Sequence, residues 1–197
     1  MQTAYPSRTI AQVVIPRSTV NTIVLMFGFA LLTAAAAQIR FPVPGSPVPI
    51  TGQTFAVLLA GAALGSRAGA GSQAIYWVMG AIGLPFYTGA QGGWDIATGA
   101  TGGYLIGFIV AAWVVGALAE RGQDRTVASA IPAFLAGNAV IYMIGVPWLM
   151  ASVVAIDSMT AALTAGFTPF VIGDVIKVVL AGLLLPAAWK AVKRLGV

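Results

Sequence analysis

Cysteine and histidine are both absent from the 197-residue sequence. Without cysteine, the chain forms no disulfide and offers no thiol nucleophile. Without histidine, it offers no imidazole for a Ser-His-Asp triad or for a metal site. The sequence therefore excludes the most familiar kinds of enzyme active site and predicts a protein that is not an enzyme.

Charged residues are also scarce. They make up 8% of the sequence, whereas 59% is hydrophobic and the mean hydropathy is +0.93. A soluble domain typically contains about 25% charged residues. The composition predicts a membrane protein, and the length leaves room for about six helices of about 20 residues each. We therefore expect one transmembrane domain over residues 1–197, with short cytoplasmic tails of about 1–18 and 190–197.

Charge-free apolar segments between turn signals predict an all-α fold with six transmembrane helices. The predicted spans are 19–38, 53–65, 68–84, 101–119, 129–150 and 168–189. The second and third are short for a hydrocarbon core of about 30 Å, so tilting, kinking or shielding by neighbouring helices is expected.

Basic residues indicate the orientation of these spans. If the N-terminus is cytoplasmic, Arg40 is the only basic residue in the outer loops, and Lys177 lies within a predicted span. The other bases all fall on the inside: Arg8, Arg17, Arg67, Arg121, Arg125, Lys190, Lys193 and Arg194. Such a bias predicts N-in and C-in topology in the cell membrane, either an inner or a plasma membrane.

Two outer loops have unusual compositions. Residues 41–52 contain four prolines, which predict a semi-rigid extended connection that can serve as a lid. Residues 88–103 contain six glycines around Trp94 and Asp95, so their backbone can approach a ligand closely. The alternative is that both are simple connections. No G-x-x-x-x-G-K-[ST] sequence occurs, so ATP would have to be bound by another subunit.

Asp174 and Lys177 lie three residues apart inside the last apolar segment. A charge at the centre of a membrane helix costs about 2.5–3.5 kcal/mol on insertion scales, which suggests a functional use. A helix beginning at Thr168 and Pro169 on the outer side would place Asp174 about 9 Å and Lys177 about 14 Å along its axis. The spacing of three puts both residues on one face.

Three interpretations of this pair remain open. It could be an internal ion pair that joins helices, although buried pairs stabilise proteins poorly relative to apolar packing. It could form a ligand site at mid-depth, in which Asp174 accepts N–H bonds and Lys177 donates to a carbonyl or carboxylate. A proton or ion relay is the third interpretation, but the nearby lysine favours an ionised aspartate and weakens it.

Other polar and aromatic residues are weaker candidates for the same cavity. Gln53, Tyr104 and Asn138 lie on the predicted second, fourth and fifth helices, where each could contact a ligand or bond to neighbouring backbone. Trp94, in the glycine-rich loop, is a candidate pocket wall. On the first helix, Ala30 and Ala34 form a small-residue stripe that permits close helix contact, either within the chain or with a second protein.

As a set, six segments resemble the BioY family, the biotin-binding substrate-capture (S) components of energy-coupling factor (ECF) transporters. The likeness runs from about residue 25 to residue 185. The segments are LTAAAAQI (32–39), VPITGQT (48–54), VLLAGAALG (57–65), GAIGLPF (80–86), TGGYLIGF (101–108) and GDVIK (173–177).

The resemblance implies a six-helix bundle that captures biotin from outside. It also implies a membrane scaffold subunit and two cytoplasmic ATPase subunits as partners, with no cofactor on this chain and ATP bound only by the ATPases. The family's ligand pair falls on Asp174 and Lys177, and Ala30 and Ala34 would meet the scaffold. Arg40 and Gly52 depart from the more neutral or bulkier residues expected there.

Biotin suits such a site because it carries two ureido N–H groups, a ureido carbonyl, an apolar thioether ring and a carboxylate. Asp174 would accept an N–H, and Lys177 would donate to the ureido oxygen or, alternatively, pair with the carboxylate. A secondary transporter or channel and an S component for another small vitamin remain alternatives, as does a homo-oligomer. An intramembrane aspartyl enzyme needs two carboxylates, and Asp174 is the only acid within a predicted span.

Overall fold

The computed structural model describes residues 8–194, which are mostly helical. The α-helices are α1 (Ile10–Val14), α2 (Thr19–Gln38), α3 (Gln53–Leu64), α4 (Ser66–Ala81), α5 (Trp94–Thr98), α6 (Gly102–Glu120), α7 (Val127–Ser152), α8 (Met159–Gly166) and α9 (Val171–Arg194). A 3-10 turn, Thr168–Phe170, precedes α9. Two short antiparallel strands, β1 (Arg40–Phe41) and β2 (Ile50–Thr51), join the ends of the proline-rich loop.

Within residues 8–194, four helical segments are long and apolar enough to cross a membrane, so the chain is a multi-pass membrane protein. They are Thr19–Gln38, Gly102–Glu120, Val127–Ser152 and Met159–Arg194. The two short predicted spans correspond to α3 and α4, with 12 and 16 residues, below the roughly 20 that a full crossing needs. Each predicted span thus contains a helix, whereas the count of six crossings and the N-in/C-in orientation stay predictions.

Close contact between backbones holds α3, α4 and α6 together. A Cβ atom added at Gly61 of α3 would lie 2.5 Å from the Ala112 carbonyl oxygen of α6, and one at Gly116 would lie 2.4 Å from the backbone of Gly65. Gly65 itself has φ +90° and makes the sharp turn between α3 and α4. Small residues at such crossings let membrane helices pack through backbone contacts. The two short helices are thereby positioned against a full-length one.

The structure corrects the expected position of the Ala30 and Ala34 stripe. Both side chains are buried within the chain, with Ala30 0% exposed, because this face of α2 packs against α3 and α4. Gln73 of α4 adds a polar contact there by donating through its Nε2 to Thr33 Oγ1 at 3.3 Å. The two alanines therefore face inward, and the exposed side of α2 presents other residues, among them Leu31.

A charged cluster closes the end of the bundle opposite the proline-rich loop. Asp124, buried in the α6–α7 connection, accepts hydrogen bonds from Trp189 Nε1 at 2.6 Å and Arg125 Nε at 3.0 Å. The Arg125 guanidinium stacks over the Trp189 ring at 3.4 Å from its centroid and donates to the Arg8 carbonyl. Burial raises the pKa of Asp124, although the hydrogen bond from Trp189 opposes the shift. The cluster ties the last turns of α9 to this connection.

Candidate functional site

A cavity of about 540 Å³ lies between the helices at the end covered by the proline-rich loop. Helices α3, α4, α6, α7 and α9 contribute to its walls, and the two unusual loops contribute to its rim. Its apolar wall includes Leu105, Phe108, Ile141 and Phe170. A cavity of this size is typical of sites for small organic molecules.

Asp174 and Lys177 both line this cavity and contact each other. Lys177 Nζ lies 3.0 Å from Asp174 Oδ1 and donates to Thr54 Oγ1 of α3 at 2.9 Å. Tyr142 of α7 donates its hydroxyl hydrogen to Asp174 Oδ2. Asp174 is only 4% exposed, so the carboxylate sits in a nearly dry environment where its partners stabilise the charge.

The arrangement bears on two of the interpretations left open by the sequence. The ion pair lies within α9, so the pair alone does not join helices, and Thr54 and Tyr142 make the contacts to α3 and α7. An ammonium group has three donors, and Lys177 uses two of them on Asp174 and Thr54. A third donor and further carboxylate lone pairs therefore remain for a ligand with both N–H and C=O groups.

Gln53 lies on the cavity wall at the first position of α3, and the chain's own side chains bind both ends of its amide. Its Nε2 donates to Tyr76 Oη at 2.6 Å, and its Oε1 accepts from Thr51 Oγ1 at 2.9 Å. The side chain of Thr88 approaches the same Oε1 at 3.4 Å. Gln53 thus links α3 to α4 and to the rim, and it presents a polar surface to the cavity.

Tyr104 forms part of the aromatic wall near the ion pair. Its hydroxyl donates to the Gly166 carbonyl at 2.8 Å, and its ring meets Tyr142 edge-on at a centroid distance of 6.3 Å. Gly145 makes room for it, since a Cβ there would lie 2.4 Å from Tyr104 Cδ1. The Tyr104 ring is therefore fixed in place, with its hydroxyl already bonded to the protein.

The structure brings four of the six predicted ligand residues to the cavity, and Trp94 and Asn138 are not among the residues that line it. Trp94 is 61% exposed and packs edge-on against Trp77 at 5.8 Å. Asn138 is buried within α7, and its Oδ1 accepts no hydrogen bond from the described residues. Sequence reasoning missed Tyr142, although it lies one helical turn after Asn138 and carries a hydroxyl within a predicted span.

The proline-rich loop lines the cavity, and its use as a lid stays a prediction. Pro42, Pro47 and Pro49 line the cavity from this loop, and Val48 is 7% exposed. Ser46 Oγ donates to the Ala165 carbonyl at the end of α8, at 2.7 Å. The pairing of β1 with β2 holds the two ends of the loop together. The loop is thus anchored at its base and near its tip.

Comparisons with known proteins agree with this architecture. The model of the BioY family matches residues 8–194. The chain is 39% identical over 156 residues to the biotin transporter BioY of Thermotoga maritima, covering 79% of this chain and 88% of that protein. It is 40% identical over 164 residues to the biotin transporter BioY of Rhodobacter capsulatus, covering 79% and 86% of the two chains.

One solved structure supports the fold. The crystal structure of the S-component for biotin from an ECF-type ABC transporter aligns with a TM-score of 0.77 and 24% sequence identity. The alignment covers 87% of this chain and 92% of that one. At this level of identity the similarity establishes a shared arrangement of helices.

Proposed function

The chain belongs to the BioY family, and on that premise we propose that it captures biotin as the membrane-embedded substrate-binding subunit of a vitamin transporter. The family is one of transporters, and the chain is not an enzyme. The observation that carries the proposal is the Asp174–Lys177 pair, which lines the cavity beside the proline-rich loop with hydrogen-bonding capacity left for a ligand.

The ureido ring of biotin matches this pair in its donors and acceptors. Asp174 accepts one ureido N–H, and the free donor of Lys177 reaches the ureido carbonyl. Because Asp174 is buried and the Lys177 side chain is only 16% exposed, these charge-assisted bonds are stronger than they would be in water. The thioether ring then lies against the apolar wall, where Phe108 and Ile141 offer carbon surface. Burial of the polar ureido ring is favourable only if its N–H and C=O groups form hydrogen bonds, and Asp174 and Lys177 supply the partners.

Titration of the purified protein with biotin tests the proposal directly. We expect saturable binding of biotin in detergent or nanodiscs, measured by calorimetry, with no comparable binding of thiamin or riboflavin. These two vitamins are controls for nonspecific uptake into an apolar cavity. Absence of biotin binding, or equal binding of either control vitamin, would contradict the assignment.

We further propose that energy for transport comes from ECF partners, a membrane scaffold subunit and cytoplasmic ATPases. The sequence lacks a P-loop, which agrees with that division of labour. The resemblance assigns the first helix to scaffold contact, and Ala30 and Ala34 are buried. The contact then uses the opposite face of α2, where Leu31 is 56% exposed. A Cβ atom added at Gly28 on this face would have no other atom within 4 Å.

The proposed topology has six crossings with both termini in the cytoplasm of a cell membrane. Reporter fusions check it. An alkaline phosphatase fused at either terminus should be inactive, and a cytoplasmic reporter should be active at both. A phosphatase inserted in the loop after Ala81 should be active, because that loop lies at the cavity end. Phosphatase activity at either terminus would refute the arrangement.

A further inference from the structure

Arg40 stands at the rim of the cavity, away from the Asp174–Lys177 pair. It lies on β1 directly opposite Thr51 of β2, and both residues line the cavity. Residues directly opposite in an antiparallel pair project from the same face of the ladder. Thr51 points inward to Gln53, so the ladder also directs Arg40 toward the cavity mouth.

A glycine in the facing loop provides the seat for this side chain. Gly89 has φ +74°, and a Cβ added there would lie 2.7 Å from Arg40 Nη1. Any other residue would be strained in this backbone conformation, and its Cβ would displace the guanidinium. The guanidinium therefore lies close to the loop backbone at the mouth, on a side chain that is exposed.

The charges around the cavity leave Arg40 free to bind an anion. The charged lining residues are Arg40, Asp95, Asp174 and Lys177. The last two neutralise each other at 3.0 Å. Within residues 8–194, the Arg40 guanidinium makes no hydrogen bond or ion pair, and Asp95 lies beyond salt-bridge distance from it. A five-donor guanidinium without a partner is well suited to a bidentate contact with a carboxylate.

The depth of the cavity fits a ligand that is polar at both ends. Asp174 is six residues after Thr168, where the 3-10 turn at the head of α9 begins, so it lies about 9 Å along the helix from that outer end. Biotin carries its ureido ring at one end and its carboxylate at the end of a valerate chain. With the ring at Asp174 and Lys177, the extended chain reaches the rim.

From this geometry we propose that Arg40 binds the carboxylate of biotin and makes the cavity selective for the free acid over its neutral amide. The inference rests on the proposed function, because it assumes that the ureido ring occupies the Asp174–Lys177 pair. It assigns the carboxylate to the rim and leaves Lys177 to the ureido oxygen. The site then has two separate points of polar recognition, one at each end of the ligand.

The test compares biotin with biotinamide, whose carboxylate is replaced by a neutral carboxamide of nearly the same size. Affinities are measured by calorimetry for the wild-type protein, Arg40→Gln and the control Arg67→Gln, which makes the same substitution at an exposed arginine outside the cavity lining. We expect the wild type to prefer biotin by about tenfold or more. Arg40→Gln should weaken biotin binding by that factor and leave biotinamide binding unchanged, and Arg67→Gln should retain the preference. Arg40→Lys should restore part of it.

Three results would overturn the inference. The wild type could bind both compounds equally, Arg40→Gln could keep the preference for biotin, or Arg40→Gln could weaken both ligands to the same extent, which would indicate a structural role for the arginine. Failure of the proposed function itself is distinguishable, since the wild type would then bind neither compound and the inference would fall with it.

Discussion

Asp174→Asn and Lys177→Met should each weaken biotin binding by at least about 2 kcal/mol, or roughly 30-fold. Asparagine keeps the shape of the aspartate and removes its charge, so Lys177 loses its counter-ion and a ureido N–H loses its acceptor. Methionine leaves Asp174 as an uncompensated buried charge, 4% exposed, with only Tyr142 and Thr54 as partners. Calorimetric titration in detergent measures the affinities.

Matched variants elsewhere separate a local effect from a change in total charge. Asp157→Asn and Lys190→Met make the same substitutions at exposed residues outside the cavity lining, and they should bind biotin like the wild type.

A double variant that replaces both Asp174 and Lys177 with apolar residues tests whether the ion pair serves only to stabilise the helix bundle. If the pair serves only to stabilise the bundle, the double variant should melt near the wild-type temperature and bind biotin normally. That result would remove this pair from the ligand site.

Ala30→Trp should destabilise the protein by about 3 kcal/mol, at the upper end of what overpacking usually costs. The Ala30 side chain is 0% exposed, and the face of α2 that carries it packs against α3 and α4, so an indole cannot be accommodated without separating the helices. Thermal melts of the purified protein in detergent measure the loss. Biotin binding should decline with the folded fraction, because α3 and α4 also carry cavity residues.

Ala35→Trp is the matched control on the same helix. Ala35 is exposed, so the added ring points away from the bundle and the melting temperature should stay near that of the wild type. If the exposed face of α2 contacts a scaffold subunit, this variant should bind biotin normally and co-purify poorly with that subunit. A stable Ala30→Trp protein with normal biotin affinity would contradict the packing of α2 described above, and normal co-purification of Ala35→Trp would contradict the proposed contact face.

The sequence predicted the helices well because apolar segments of the right length have few alternatives to helix in a membrane. The first predicted span, 19–38, coincides with α2, and the helices at the other five end within a few residues of their predicted limits. Ser18 supports the first of these boundaries, since its Oγ accepts from Asn21 N at 3.0 Å. Asp174 and Lys177 were also predictable, because the cost of burying charge in lipid singles them out whatever the tertiary structure.

Which way a side chain faces was harder to predict, because helix–helix contacts decide it. Ala30 and Ala34 form a stripe of small side chains that suits helix packing within the chain as well as packing against a second protein. Their spacing alone does not show which of the two occurs. Asn138 and Tyr142 share one face of α7 by spacing, yet only Tyr142 reaches the cavity lining. Trp94 packs on Trp77, a contact between distant parts of the sequence that no local pattern contains. The hydrogen bond from Trp189 to the buried Asp124 also joins residues that no local sequence pattern connects.

The four prolines of the loop over the cavity also affect the entropy of ligand binding. A flexible cover would lose backbone freedom when it closes on a ligand, at about 1–2 kcal/mol for each residue that becomes ordered. Proline restricts both its own φ and the conformation of the residue before it, so much of that freedom is already missing from the unliganded loop. The β1–β2 pairing and the hydrogen bond from Ser46 restrict it further. Ordering this loop around a ligand would therefore cost less conformational entropy than ordering a flexible loop of the same length.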